Sequence, residues 1–130
     1  VTDTSSVERQ GAAPDVTREI ARGLVRAIET EDPDVIEEHV HEEAFLWYRE
    51  HLTRAVQHGR SMVATTLARL HARRRPTHTA VYRVMDGTAV ISAFADETAL
   101  WTIEVVFRDD LADALSLSMP DRPVYVSNAP

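Results

Sequence analysis

The sequence predicts an α+β domain, with helices on one face of a mostly antiparallel sheet. Three observations carry this. Apolar residues before Thr77 recur at helical spacing, and from Thr77 onward they recur every second residue. The period-two segments follow one another across short turn signals. Consecutive strands joined by hairpins make an antiparallel sheet, and helices segregated from strands make α+β rather than α/β.

Each element has its own justification. Residues 1–14 are polar and aperiodic and read as an N-terminal tail. Asp15 is placed to cap a helix that opens near Val16, where Val16, Ile20, Leu24 and Ile28 form one apolar face. Pro33 disfavours helical geometry at Asp32, so this helix should stop near Glu31. Asp32-Pro33 then reads as N-cap and first position of a short second helix, with Ile36, His39 and Val40 on its apolar side. Ala44-Phe45-Leu46-Trp47-Tyr48 is short, aromatic and strand-like. Residues 50–58 are polar and lead into the turn His58-Gly59. A third helix spans about Ser61 to Arg73, with Val63, Leu67, Leu70 and His71 on one face. The triplet Arg73-Arg74-Arg75 reads as its cationic end, favoured by the helix dipole, with an anion site as the alternative.

Four strands complete the fold: His78–Met85, Thr88–Glu97, Thr98–Arg108 and Leu111–Met119. Asp86-Gly87 is a strong two-residue hairpin signal and Asp109-Asp110 a weaker one. Residues 120–130 hold three of the six prolines and read as an extended tail, leaving 15–119 as one domain.

Composition narrows the function. The 130 residues carry a net charge of −7, contain no cysteine, and draw all 14 basic residues from arginine. Without cysteine there is no disulfide framework, thiolate metal site or cysteine nucleophile. Without lysine there is no Schiff-base mechanism. An acidic chain is a poor partner for the phosphates of a duplex, so nucleic acid is not expected. No apolar run approaches the about 20 residues of a membrane span, and a cytoplasmic protein is the expectation. The glycines at 11, 23, 59 and 87 are too scattered for a phosphate loop, and no GxSxG elbow is present. No nucleotide or other cofactor is expected.

Four segments carry a family resemblance. They are AIETEDPDVIEEHVHEEAFLWY, the HGR turn opening the third helix, VMDGTAVISAF, and TIEVVFRDDLADALSL. In this order and spacing the chain resembles the nuclear transport factor 2-like superfamily, with the SnoaL-like polyketide cyclases and ketosteroid isomerases as its enzymes. The resemblance implies a cystatin-like cone: three N-terminal helices packed on a curved, mostly antiparallel sheet. It also implies an apolar pocket at the open end and a homodimer through the outer sheet face.

The family's functional residues map unevenly. The position of the isomerases' catalytic base corresponds to Tyr48, and a phenol is no base at neutral pH. The oxyanion-hole tyrosine corresponds to Leu24. The protonated oxyanion-hole aspartate corresponds to Glu104, inside the strand-forming run Trp101–Phe107. A carboxyl held neutral by burial can donate a hydrogen bond to an enolate or act as a general acid. The bland alternative is a solvated Glu104 paired with Arg83 or Arg108.

The cyclases' acid/base aspartate corresponds to Asp113. A strict two-residue turn at Asp109-Asp110 places Val106 opposite Asp113 and Glu104 opposite Leu115, whereas a one-residue slip sends Asp113 to the other face. The expected site is therefore Glu104, Asp113 and His39 as catalytic candidates, lined by Leu24, Trp47, Tyr48, Thr102, Val106 and Leu115. With Glu104 inward, the stripe Trp101, Ile103, Val105 and Phe107 faces outward and predicts a dimer or a covering tail, for which Val124, Tyr125 and Val126 are available.

His39 and His41 with Glu42 and Glu43 invite a metal reading. Histidines two apart share a side only in a strand, and HExxH fails because position 45 is Phe, so no metal is expected. Two function classes remain. One is a cofactor-independent cyclase, isomerase or dehydratase acting on an apolar, carbonyl-bearing small molecule. The other is a non-catalytic module that binds a hydrophobic ligand or a protein partner as a dimer.

Overall fold

Pro14, not Val16, opens the first helix in the computed structural model, which describes residues 13–50 and 53–119. Proline at the first helical position loses no needed N–H, so α1 (Pro14–Glu29) starts without a side-chain cap at Ala13, and Asp15 sits in its first turn beside the positive end of the dipole. Both expected tails fall almost wholly outside the described residues. Thr30 closes the helix by donating its hydroxyl to the Ala27 carbonyl at 2.6 Å. Asp32 caps α2 (Pro33–Glu37) as expected, accepting from the Asp34 N–H at 2.9 Å.

The chain leaves α2 earlier than the sequence suggests. Val40 begins β1 (Val40–Glu50), and the Ala112 N–H donates to the His39 carbonyl at 2.9 Å, drawing the segment into the sheet. The polar stretch after β1 is also a strand, β2 (Thr53–His58), which periodicity of apolar residues could not find. It is an edge strand paired only with β1, so it needs no apolar face of its own.

Gly59 joins β2 to α3 (Arg60–Arg73). Its φ of +103° lies where side chains are strained, and its N–H donates to the Ala44 carbonyl at 2.8 Å. Gly59→Ala is therefore expected to cost about 1–3 kcal/mol, read as a lower urea midpoint at constant m-value. An unchanged midpoint would mean that the junction relaxes freely.

The remaining strands are β3 (His78–Met85), β4 (Thr88–Ala95), β5 (Thr98–Arg108) and β6 (Leu111–Ser118). The Asp109-Asp110 turn has both residues at positive φ, 54° and 65°, and pairs Arg108 with Leu111. This is the mirror-image turn whose twist matches a hairpin.

All six strands form one sheet in the order β2-β1-β6-β5-β4-β3. Four neighbouring pairs are antiparallel and β1–β6 is parallel, so the sheet is mixed. The expected curved cone is corrected here: β2 and β3 are free edges, and the sheet is neither closed nor strongly curled. Coverage supplies the physical reason. The three helices bury one face directly, and Leu24, Ile28, Ile36, Val63 and Leu67 pack against Leu46, Ile91, Ile103 and Leu115 with 1% exposure or less. Such an interior is filled with side chains rather than hollow. Among the described residues no helix is long and apolar enough to cross a membrane.

Candidate functional site

Strand register decides which side chains face the helices. On β5, Trp101, Ile103 and Val105 are buried, and they pair with the inner-face residues Ala93, Ile91 and Ala89 of β4. Thr102, Glu104 and Val106 therefore occupy the outer face. The expected facing of β5 is inverted. Glu104 is exposed, between Val90 and Ser116 on neighbouring strands, and is not a buried acid in a pocket. The stripe expected outside is the inner wall.

The other two catalytic candidates are scattered as well. Asp113 falls at a bulge: Phe107 pairs with Ala112 while Val106 pairs with Ala114, so one residue of β6 is looped out. The two-residue turn and the one-residue slip both occur, separated by this bulge. The Asp113 carboxylate lies 3.5 Å from the Arg108 guanidinium and 3.7 Å from His41 Nδ1. Five residue steps along β6 separate it from Ser118, a span of about 17 Å. His39 packs on the helical side, with its Cε1 3.5 Å from where a Cβ on Gly23 of α1 would lie. His39 and His41 thus diverge, and no group of three metal-ligating side chains forms among the described residues.

Four of the six expected lining residues are elsewhere. Leu24 and Leu115 are fully buried core. Thr102 lies on the outer face in the hydroxyl chain Tyr82–Ser92–Thr102, each link 2.8 Å, and Val106 is 47% exposed on that face. Trp47 and Tyr48 do line a cavity, together with residues that the sequence did not single out.

That cavity is a recess of about 1300 Å³ where β1 and β6 end and α3 passes over them. Tyr48, Leu70, Leu117 and Met119 supply its apolar surface, with Trp47 at the sheet's outer side. Gln57, Thr66, Ser116 and Ser118 supply neutral polar groups, and the Thr66 hydroxyl donates to Gln57 Oε1, clamping α3 onto β2. The rest of the lining is arginine: Arg49, Arg54, Arg69, Arg73 and Arg74. No aspartate, glutamate or histidine is among the described lining residues.

The arginine triplet thus divides. Arg75 reaches Glu31 at 3.5 Å, and the same carboxylate binds His71 Nδ1 at 2.8 Å, tying α3 to the α1–α2 turn. Arg73 and Arg74 turn to the recess. Of its other cations, Arg69 was legible only as one turn before Arg73. Arg49 and Arg54 meet only through the β1–β2 pairing.

Trp101 ends the inner face of β5 at this same end of the sheet, since its neighbour Thr102 pairs with Ser118. Its indole N–H is buried and has no hydrogen-bond partner among the described residues. The site can accordingly bind through cations, neutral donors and an apolar wall. It brings together no carboxylate–histidine pair for proton transfer.

No family model matches the chain, and no curated protein matches it. Solved structures do match in fold. A protein of unknown function with a cystatin-like fold from Methylobium petroleophilum PM1 superposes with a TM-score of 0.62 at 9% identity, covering 88% of this chain and 82% of that one. An NTF2-like protein of unknown function from Mesorhizobium loti gives 0.59 at 17% identity, covering 82% and 92%. A protein provisionally assigned as a ketosteroid isomerase, from Kribbella flavida DSM 17836, gives 0.57 at 15% identity, covering 88% and 84%. At these identities the likeness establishes the fold: this chain is built as an NTF2-like, cystatin-like domain.

Proposed function

We propose that this NTF2-like domain binds a small organic molecule with an apolar body in the recess at the ends of β1 and β6, and that it works as a homodimer through the outer face of its sheet. The observation that carries the binding reading is the recess itself: about 1300 Å³, lined on its apolar side by Tyr48, Leu70, Leu117 and Met119. Concave sites with an apolar wall and a few placed polar groups are where small molecules bind. The fold is shared with the provisional ketosteroid isomerase, which agrees with a ligand site but assigns no chemistry.

Support for the dimer comes from the outer face. Phe45, Val56, Tyr82 and Val106 are 38–52% exposed there. Phe45 also stacks on Trp47 and His58, making an aromatic cluster on the β1–β2 half. An apolar surface spread over several strands is unfavourable in water, and a second copy would cover it.

A cofactor-independent isomerase, cyclase or dehydratase acting on a carbonyl compound is the second reading. One observation favours it: the buried, unpartnered Trp101 N–H near the recess, a donor of the kind that stabilises an enolate oxygen. Against it, neither Glu104, on the outer face, nor Asp113, at the far end of β6, is among the residues that line the recess. Binding is therefore the primary reading.

The test uses N-phenyl-1-naphthylamine, a neutral fluorophore, titrated into the full chain. Saturable binding is expected, and it should be lost in Thr66→Trp, which projects from α3 into the recess beside Gln57. Unchanged binding in that variant would sink the reading. Turnover of a simple enone that depends on Trp101 would move the balance to the enzyme.

A further inference from the structure

We infer that the ligand of this recess is an amphiphilic organic anion: an apolar body carrying a carboxylate that the arginines hold. The inference rests on the recess being the ligand site and adds the charge of its occupant. It departs from the neutral, carbonyl-bearing molecule that the sequence suggested.

Charge placement carries the argument. The chain has a net charge of −7, yet five of its 14 arginines converge on one recess. Among the described residues none of the five has a carboxylate within ion-pair distance, although Arg22, Arg75 and Arg108 elsewhere do. The clustering is also locally unfavourable. Arg49 and Arg54 stand directly opposite each other across β1 and β2, and like charges in that position destabilise a sheet. Arg69 and Arg73 are one turn apart on α3, where like charges destabilise a helix. Two like-charge pairs on three elements thus border the recess, Arg49 and Arg54 on the side of β1 that carries Trp47, and Arg69 and Arg73 from α3 over the other side. An anion held at the end of β1, which both pairs border, lowers both repulsions. Helix termination accounts for Arg73 and Arg74 but not for Arg49, Arg54 or Arg69.

Recess shape and chemistry choose the kind of anion. Guanidinium groups match a carboxylate with two parallel hydrogen bonds. Tyr48, Leu70 and Leu117 offer an apolar surface beside them, which a bare inorganic ion would leave wet. An acid with a hydrocarbon body satisfies both.

The experiment compares sodium decanoate with decan-1-ol, each titrated below its aggregation limit into the full chain and followed by calorimetry and tryptophan fluorescence. Decanoate is expected to bind at least about tenfold more tightly than the alcohol, as a charge-assisted hydrogen bond requires. Its affinity should fall as sodium chloride is raised. The double change Arg54→Gln with Arg69→Gln should remove most of that preference and leave alcohol binding unchanged, while Arg54→Lys with Arg69→Lys should keep much of it. Equal affinity for acid and alcohol, or decanoate binding indifferent to salt in the unaltered chain, overturns the inference whether or not the variants fold. If the alcohol binds and Thr66→Trp blocks it, the ligand-site reading stands without the anion. If neither probe binds, both fall.

Discussion

Leu115→Ala is expected to lower the stability of this protein by about 2–5 kcal/mol. Leu115 lies on β6, a central strand with β5 on one side and β1 on the other, and its side chain is fully buried between Val105 and Leu46. Truncation removes three side-chain carbons, Cγ and its two methyls, from a site walled by sheet on two sides and helices above. Such a site cannot collapse around the gap, which places the cost in the upper part of the range. A pocket-lining leucine behaves differently, because solvent or ligand already occupies one side of it. The denaturation midpoint thus distinguishes the two placements: a loss below about 1 kcal/mol would mean that Leu115 borders open space after all. Leu24, fully buried on α1, is expected to behave in the same way.

Val106→Glu should convert the proposed dimer into a monomer. Val106 is 47% exposed on the outer face, between Thr88 of β4 and Ala114 of β6, so in the isolated domain it supports little packing. Its replacement should change folding stability by no more than about 0.5 kcal/mol. Inside an interface the new carboxylate would join Glu104 two residues away and its symmetry mate across the twofold. Burying uncompensated like charges costs several kcal/mol, which corresponds to at least about a hundredfold weaker association. Sedimentation velocity over a concentration series reads this directly. A chain that is already monomeric at every concentration would remove the dimer proposal, and a variant that stays dimeric would move the interface off this face.

Local chemistry made much of the fold legible. Asp32-Pro33 cannot continue a helix and readily starts one. Asp109-Asp110 tolerates positive φ and turns a hairpin. The switch from a helical to a two-residue period at Thr77 marks where the sheet takes over. Each of these signals is contained within a few residues, so no tertiary information is needed to read it. β2 escaped because an edge strand with one partner carries no apolar stripe, and the end of α2 escaped because a five-residue helix has no periodicity to measure.

The site was far less legible, and Glu104 shows why. Alternation along Trp101–Phe107 fixes which residues share a face, but the same alternation is satisfied with either face turned to the helices. Packing chose Trp101, Ile103 and Val105 for the interior, since that is the larger apolar set, and Glu104 went out with Thr102 and Val106. Asp113 was undetermined for a related reason: a single looped-out residue on β6 resets the register, and nothing in DDLADAL announces the bulge.

The arginine recess lies further still from the sequence. Arg49, Arg54, Arg69 and Arg73 belong to three elements separated by turns, and each alone is an ordinary solvated cation. By itself the sequence determined where the helices start, the hairpins from Thr77 onward, the α+β class and the absence of cysteine and lysine chemistry, because those follow from neighbours along the chain. Only the tertiary structure decided which face is core, where the sheet ends, and that cations rather than acids gather at the recess, because those depend on long-range contacts whose energies no local pattern encodes.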